Sequence, residues 1–290
     1  MNILVTGANG QLGTELRRAA ATGSDRYVFT DVNRMPGVET VYLDITNIKA
    51  VRLTCGSEKI DAIVNCAAYN DVERAETDVD MADALNHVAP GNLAAVAAER
   101  GASLIHISSD YVFRGDRSVP YTEDVPPAPL GVYGATKMLG EEAVASSGCP
   151  FIIFRTAWLY SPYGKNFVKT IRRLTSEKDV IKVVSDQVGS PTCAADLAAV
   201  IMKVIGERRT DVSGIYHYSG EGVCSWFDFA CAIRDLSGNE CRIEPCRSDE
   251  YPGRVRRPHY SVLDKTKVKN VFGVRVPHWY ESLCKCMERL

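Results

Sequence analysis

Several features that assign a chain to a broad class are missing from this 290-residue sequence. No apolar run reaches the roughly 18 residues that a membrane span needs, so we expect no contact with a membrane. Basic residues do not exceed acidic ones, with 34 Lys and Arg against 36 Asp and Glu. This balance argues against a nucleic-acid partner. The first five residues lack the basic flank of a signal peptide and are typical of a strand.

Cysteine is present ten times, but the spacings that would give it a function are absent. No CxxC pair occurs, so neither a zinc ribbon nor a thioredoxin-type site is predicted. The histidines do not show the HExxH spacing of a zinc hydrolase. We therefore expect reduced thiols in a cytoplasmic protein and no bound metal.

Short apolar runs alternate with helical patterns in the first half of the chain. Strands are predicted at 2–6, 27–31, 40–44, 62–66, 103–108 and 151–156, and helices at 11–21, 81–100 and 132–146. This alternation predicts an α/β fold with parallel pairing and right-handed crossovers. The runs are apolar throughout, as expected for strands that are covered on both faces. The sequence predicts a doubly wound parallel sheet of the Rossmann type, which binds ligands at the carboxyl ends of its strands.

The pattern changes after about residue 160. Strands become shorter, at 181–184, 215–218 and 242–244, and helices are predicted at 194–205, 226–236 and 279–288. We expect a cofactor-binding domain over residues 1–160. A smaller mixed α/β domain, mainly for substrate binding, is expected over residues 161–290, with some segments returning to the first domain.

Three glycines follow the first predicted strand and precede the first helix. Gly7, Gly10 and Gly13 form a GxxGxxG turn. Glycines allow a tight turn and a close approach of pyrophosphate, and the helix N-terminus supplies free N–H groups. The position of the turn between strand and helix is the context that a dinucleotide site requires. The spacing is typical of short-chain dehydrogenases/reductases.

Two acidic residues end the next predicted strands. Asp31 can accept hydrogen bonds from the adenosine ribose and repel a 2′-phosphate, which favours NADH. Arg34 follows three residues later and could pair with a 2′-phosphate, so NADPH stays open. Asp44 could meet the adenine or could belong to the cap region of the helix that follows.

A YxxxK motif, Tyr133 to Lys137, lies on a predicted helix, and the spacing puts both side chains on one face. A nearby ammonium is expected to lower the pKa of the phenol, which could then move a proton to or from a substrate oxygen. Ser109 follows the fifth predicted strand and could hydrogen-bond the same oxygen. The order of glycine turn, serine and YxxxK helix is that of the short-chain dehydrogenases/reductases.

Longer pieces of sequence carry a closer resemblance. The pieces are TGANGQLG at the start, then NCAAY, SSDYVF, VYGATK, FRTAWLY, NFVKT, SDQVGSPT and a late RPxxSxLD. Spread along nearly the whole chain, they resemble the dTDP-4-dehydrorhamnose reductase family of the extended short-chain dehydrogenases/reductases. His259 and Tyr260 depart from the late motif, where that family commonly has Asn-Ser.

The resemblance implies roles for individual residues. Tyr133 matches the proton donor, Lys137 its partner, and Ser109 the hydroxyl that polarises the carbonyl, usually a threonine. Tyr133 and Lys137 also count among the implied cofactor contacts, with Lys137 at the nicotinamide ribose. Asp110 and Trp158 match positions that contact the sugar. The matching cofactor contacts are Gly10, Gln11, Leu12, Asp31, Asp44, Ile45, Ala67, Ala68 and Tyr69.

The implied reaction is the reduction of a dTDP-6-deoxy-4-keto sugar by NADH or NADPH, giving dTDP-L-rhamnose. The alternatives are another NAD-dependent nucleotide-sugar 4-reductase or epimerase, and a non-catalytic NADP-binding regulatory subunit of methionine adenosyltransferase. The resemblance also leaves a homodimer open.

The later half of the chain holds a basic segment. Its four arginines could bind the substrate's diphosphate or form a solvated loop, and we choose Arg257 as the diphosphate contact; they are Arg247, Arg254, Arg256 and Arg257.

Glu15, on the first predicted helix, matches an acid that bridges a magnesium-linked dimer in some relatives. We expect it to be solvated on the surface of the first helix instead.

Overall fold

The computed structural model describes residues 1–21, 23–250 and 255–290. Its strands are β1 (Asn2–Thr6), β2 (Arg26–Asp31), β3 (Val41–Tyr42), β4 (Ala62–Asn65), β5 (Ser103–Ser109), β6 (Phe151–Thr156), β7 (Leu159–Tyr160), β8 (Val180–Val184), β9 (Val188–Gly189), β10 (Thr192–Cys193), β11 (Gly214–His217), β12 (Cys224–Ser225) and β13 (Arg242–Cys246). Its α-helices are α1 (Gln11–Ala20), α2 (Ile48–Ser57), α3 (Val72–Ala75), α4 (Val79–Asp83), α5 (Ala89–Arg100), α6 (Val132–Ala145), α7 (Phe167–Glu177), α8 (Ala194–Gly206), α9 (Trp226–Leu236), α10 (Thr266–Phe272) and α11 (Trp279–Met287).

Seven strands form one sheet in the order β11-β6-β5-β4-β1-β2-β3. Every neighbouring pair in it is parallel. The chain runs outward from β1 in one direction through β2 and β3, and in the other through β4, β5 and β6. Ligands of such sheets bind where the order reverses, beyond the carboxyl ends of the strands. The prediction of a Rossmann-type doubly wound sheet is confirmed.

Helices cover both faces of this sheet. On one face, Leu16 of α1, Ile201 of α8 and Phe272 of α10 share a buried apolar core. On the other face, Val51 of α2 and Leu93 of α5 belong to a second core. Because both faces are packed, the strands carry apolar residues at successive positions rather than at alternate ones.

A third apolar cluster holds together α7, α9, α11 and the parallel pair of β8 and β13. Two smaller pairs, β7 with β10 and β9 with β12, lie outside the large sheet. β11 and α8 instead join the large sheet and its helical layer, although they come late in the chain. The division into two domains at residue 160 stays a prediction.

Two elements differ from their predicted extent. The strand expected at 40–44 is only the two residues of β3, and its side chains are exposed at the sheet edge. The helix expected at 81–100 begins earlier, with α4, and continues through a π-helical turn, Ala84–Val88, into α5. Among the described residues, no helix combines the length and the apolarity needed to cross a membrane. All ten cysteines are free.

Candidate active site

The glycine turn connects β1 to α1 and leaves no space for side chains. Gly7 has a left-handed backbone with φ of +61°, and a Cβ there would lie 2.6 Å from the backbone nitrogen of Ala67. A Cβ on Gly13 would lie 2.5 Å from the carbonyl oxygen of Gly7. Gly10 occupies the N-cap position of α1, so no side chain caps the first-turn amides. These amides can hold a phosphate group, and the turn fits a dinucleotide.

The side chains next to this turn have partners within the protein. The Asp31 carboxylate accepts hydrogen bonds from the backbone N–H groups of Asn9, at 3.0 Å, and Asn33, at 2.8 Å. The Gln11 side-chain oxygen accepts from Ser161 Oγ at 3.0 Å. Leu12 is buried in the apolar core, so only its backbone can meet a phosphate.

The structure places Asp44 in the turn before α2. Its carboxylate accepts hydrogen bonds from the backbone N–H and the hydroxyl of Thr46, at 2.9 and 2.7 Å. This arrangement agrees with the alternative that Asp44 belongs to the cap region before α2, because β3 ends at Tyr42 and the chain has turned before Asp44. Ile45 is buried in the core. A contact of Asp44 or Ile45 with a cofactor stays a prediction.

Ala67, Ala68 and Tyr69 follow β4 at the reversal of strand order. Gly7 packs directly against the backbone of Ala67, whose N–H donates to Asn65 Oδ1 at 3.2 Å. The Tyr69 hydroxyl donates to Asp78 at 3.0 Å. The segment therefore packs directly against the glycine turn, just beyond the end of β4.

The three residues expected to be catalytic are buried together where β5 meets α6. Ser109 ends β5, and Tyr133 and Lys137 lie one turn apart on α6. The Ser109 hydroxyl lowers the pKa of the Tyr133 phenol, against the larger effect of burial. The Lys137 ammonium donates to the backbone carbonyl of Ile107 on β5 at 2.5 Å. The arrangement puts two hydroxyl groups and a cation at one end of the sheet.

The electrostatics of Tyr133 differ from the expectation. Burial raises its pKa to about 12, and no lowering of this pKa by Lys137 is found, so the prediction of a lysine-lowered pKa is wrong for this arrangement. The Lys137 ammonium donates to the carbonyl of Ile107, and burial is the largest influence on the pKa of the phenol. Burial lowers the pKa of Lys137 to about 8, although the carboxylate of Glu141 raises it. At neutral pH Tyr133 is a protonated phenol, which suits a proton donor.

Asp110 follows Ser109 and lies buried in a single 3-10 turn. Its Oδ1 accepts a hydrogen bond from Ser109 Oγ at 2.9 Å. Burial raises its pKa to about 6, although the hydrogen bond from Ser109 acts in the opposite direction. Asp110 therefore orients the hydroxyl that lies beside Tyr133.

Trp158 has a backbone conformation that is unusual for a tryptophan, with φ of +50°. Such a conformation costs a residue with a side chain about 1–2 kcal/mol. The ring stacks on Trp226 at the start of α9, with centroids 3.5 Å apart and 10° between the planes. Gly189 leaves the space behind it, since a Cβ there would lie 2.7 Å from the Trp158 ring. The sequence analysis missed Trp226, which has no motif of its own.

Comparison with known proteins assigns the family. The family model described as "RmlD substrate binding domain" matches residues 1–290. A dTDP-4-dehydrorhamnose reductase of Burkholderia thailandensis is 37% identical over 304 residues, covering 100% of this chain and 99% of the relative. The structure of a dTDP-4-dehydrorhamnose reductase from Clostridium acetobutylicum has a TM-score of 0.93 and 40% identity, covering 100% and 99% of the two chains.

This chain belongs to the dTDP-4-dehydrorhamnose reductase family. The resemblance carried by the sequence motifs is therefore confirmed. The structure of a family member from Bacillus anthracis, in complex with NADP, has a TM-score of 0.91 and 38% identity, covering 100% of this chain and 99% of that one.

Among the described residues of this chain, the arginines predicted to bind diphosphate have different surroundings. Arg257 makes an ion pair with Glu73 at 3.1 Å. Arg256 instead lines a cavity of about 200 Å³ with Arg114 and Arg117. Leu130, His259 and Tyr260 also line this cavity, and Leu130 directly precedes the N-cap of α6. Arg247 lies before the 3-10 turn Ser248–Glu250, and Arg254 lies outside the described residues.

Arg114 and Arg117 could not be predicted as neighbours of Arg256 from the sequence, because they are far from the basic segment in the chain.

Glu15 is not solvated, so that prediction is wrong. It is buried on α1, and its carboxylate accepts a hydrogen bond from Arg289 at 2.8 Å. The helical face that looks exposed in the sequence is covered, because the end of the chain after α11 packs over it. In the described ranges, no group of three or more His, Cys, Asp or Glu side chains is placed to hold a metal ion.

Proposed function

We propose that this chain reduces the C4 keto group of dTDP-4-dehydro-L-rhamnose with NADH or NADPH, giving dTDP-L-rhamnose. The observation that carries the proposal is the joint placement of Ser109, Tyr133 and Lys137 at the carboxyl end of β5, in the sheet whose glycine turn fits a dinucleotide. Family membership over the whole chain supports the same reaction.

Tyr133 donates the proton in this proposal. When bound, NADH or NADPH supplies the hydride that adds to C4 of the sugar. The oxygen on C4 gains negative charge, and the protonated phenol of Tyr133 transfers its proton to that oxygen. A pKa of about 12 keeps the phenol protonated at neutral pH. It is still a stronger acid than water, whose pKa is about 15.7.

Ser109 and Lys137 support that transfer. Ser109 ends β5 and its hydroxyl acts on the phenol of Tyr133 on α6, so one substrate oxygen could meet both hydroxyl groups. Lys137 would hold the hydroxyls of the nicotinamide ribose, as the family resemblance implies. Its ammonium is already fixed through the carbonyl of Ile107.

The cofactor would lie along the glycine turn. The amides of Gly10, Gln11, Leu12 and Gly13 would hold its diphosphate, and Gly7 would allow the close approach. The remaining predicted contacts are Asp31, Asp44, Ile45, Ala67, Ala68 and Tyr69. Asp31 favours NADH, while the B. anthracis relative is a complex with NADP, so both cofactors belong in the proposal.

The substrate would lie between α6 and the later half of the chain. Asp110 and Trp158 would contact the sugar, and the Trp158 ring is held by Trp226. Arg257 is proposed as a diphosphate contact, for which its ion pair with Glu73 would have to loosen. The cavity beside Leu130 is lined by three arginines and by Asp116, which pairs with Arg114, so it offers further positive charge near the start of α6. A cytoplasmic location is proposed from the ten free thiols.

The test is cofactor oxidation with dTDP-4-dehydro-L-rhamnose, followed at 340 nm with NADH and with NADPH in parallel. We expect stoichiometric consumption of one cofactor per sugar reduced. Catalytic conversion of a nucleotide sugar without net consumption would instead indicate an epimerase. Tight cofactor binding with no turnover on any 4-keto sugar would contradict an enzymatic role and favour a regulatory subunit.

A further inference from the structure

A buried carboxylate lies one turn beyond Lys137 on the catalytic helix. Glu141 is 3% exposed and makes a two-pronged ion pair with Arg155, which is 2% exposed. Its Oε1 accepts from Arg155 Nε at 2.9 Å, and its Oε2 accepts from the terminal guanidinium nitrogen at 2.6 Å. Charged side chains are almost never buried this completely unless they are paired.

The same carboxylate also binds the strand that carries Ser109. Ser108 Oγ donates to Glu141 Oε1 at 2.5 Å. Ser108 and Arg155 are register partners across β5 and β6, so one carboxylate receives both side chains of a cross-strand pair. Ile107, whose backbone carbonyl accepts the hydrogen bond from the Lys137 ammonium, directly precedes Ser108 on β5. Two successive residues of β5, Ile107 and Ser108, therefore contact Lys137 and Glu141.

We propose that Glu141 is a positioning residue for the catalytic pair. Held by Arg155 and Ser108, its carboxylate fixes α6 over β5 and supplies the negative charge that the buried Lys137 ammonium faces. Glu141 acts through Lys137 and touches neither cofactor nor sugar. This inference rests on the proposed function, because that function gives Lys137 its role at the nicotinamide ribose.

The charges around Lys137 agree with this role. The titratable groups on the elements packed around it are Tyr133 and Glu141 on α6, His106 on β5, Asp110 in the turn after β5, Arg155 on β6, and the His87–Asp83 pair on the helix beside α6. His106 is neutral, because burial and Lys137 lower its pKa well below the usual range. Burial and Glu141 act in opposite directions on the pKa of Lys137, and Glu141 is what opposes its deprotonation.

The main test is the pH profile of Glu141→Gln, which keeps the shape of the side chain and removes its charge. We expect the basic limb of kcat, where Lys137 loses its proton, to move to lower pH by at least about one unit, the usual effect of a close opposite charge. The affinity for NADPH, measured by fluorescence titration without sugar, should weaken over the same lower pH range. Glu141→Asp, which keeps the carboxylate, should restore the position of the limb.

Glu142→Gln is the matched control. Glu142 is the next residue of α6 and is exposed, so its replacement changes the net charge equally without touching the pair. We expect its pH profile and its NADPH affinity to equal those of the parent protein. A folded Glu141→Gln protein whose basic limb and NADPH titration also match the parent would overturn the proposal.

A double variant separates positioning from folding. Glu141→Gln alone leaves Arg155 buried and unpaired, which can prevent folding. Glu141→Gln with Arg155→Met removes both charges and should restore the melting temperature. Because loss of the Arg155 charge opposes loss of the Glu141 charge at Lys137, the basic limb should lie between those of Glu141→Gln and the parent protein. A limb at lower pH than that of Glu141→Gln would refute the role of the Glu141 charge.

The proposed function and this inference can fail separately. If the parent protein does not reduce the sugar, the proposed function fails. The pH dependence of NADPH binding still tests Glu141, because that measurement needs no substrate.

Discussion

Replacing Tyr133 with phenylalanine removes one oxygen atom from the proposed proton donor. The phenol has a pKa of about 12 in its buried position, and water, the remaining donor, has a pKa of about 15.7. The difference of about 4 units corresponds to about 5 kcal/mol of driving force for proton transfer. Only part of it is expressed in the transition state, so kcat should fall by about 10²- to 10⁴-fold, the usual range for a general acid.

The fold should tolerate this change. Tyr133 is 9% exposed and packs with its ring edge against Tyr111, at 5.3 Å between centroids. Phenylalanine keeps that ring contact, and a side-chain hydrogen bond is worth only about 0.5–1.5 kcal/mol. NADPH affinity should change by less than about twofold, because the variant leaves the glycine turn and Lys137 intact.

The assay is single-turnover oxidation of NADPH with the keto sugar, together with a fluorescence titration of NADPH and a thermal melt. Tyr111→Phe is the matched control, because it removes the same atom from the neighbouring, partly buried ring. Its kcat should stay within a few-fold of the parent value. Near-parental turnover in Tyr133→Phe would refute the assignment of the proton donor.

Three further predictions concern the turn, the sugar contact and acid stability. Gly13→Ala should abolish measurable NADPH binding, because its Cβ would lie 2.5 Å from a backbone oxygen, whereas Gly206→Ala, with open space around it, should bind normally in the same titration. Trp158→Ala should raise KM for the sugar more than it changes NADPH affinity; an unchanged KM would count against a sugar contact. Burial is the main reason that the pKa of His217 is lowered to about 3 in the folded protein. Between pH 6.5 and 4.5 the unfolded state binds a proton that the folded state does not, so the free energy of unfolding decreases as the pH is lowered. Urea melts should show about 2 kcal/mol more loss over that range in the parent than in His217→Gln; equal losses would show that His217 is not responsible.

The predictions from sequence were strongest where a local pattern has a local physical cause. A glycine turn between a strand and a helix, and two side chains four residues apart on a helix, depend only on the geometry of neighbouring residues. For this reason the positions of Gly7, Tyr133 and Lys137 could be read from the motifs. The alternation of strands and helices along the chain predicted parallel pairing. The apolar runs predicted strands that are covered on both faces, as in a doubly wound sheet.

Predictions that depended on distant packing were weaker. The lysine was expected to lower the pKa of Tyr133, but its ammonium is directed to the carbonyl of Ile107, and burial raises that pKa instead. Glu15 looked solvated on its helix and is buried under the segment that follows α11. In both cases the deciding neighbour comes from another part of the chain, and the sequence alone does not show which segment packs there.

The sequence by itself determined the family, the sheet type and the identity of the catalytic candidates, because these follow from short motifs and from hydrophobic periodicity. Only the tertiary structure decided how those candidates are charged and held. β5 and β6 bring Ser108 and Arg155 together in register, and α6 lays Glu141 across both. Burial in that packed layer sets the protonation of Tyr133 and Lys137, because the cost of a buried charge depends on every neighbour that surrounds it.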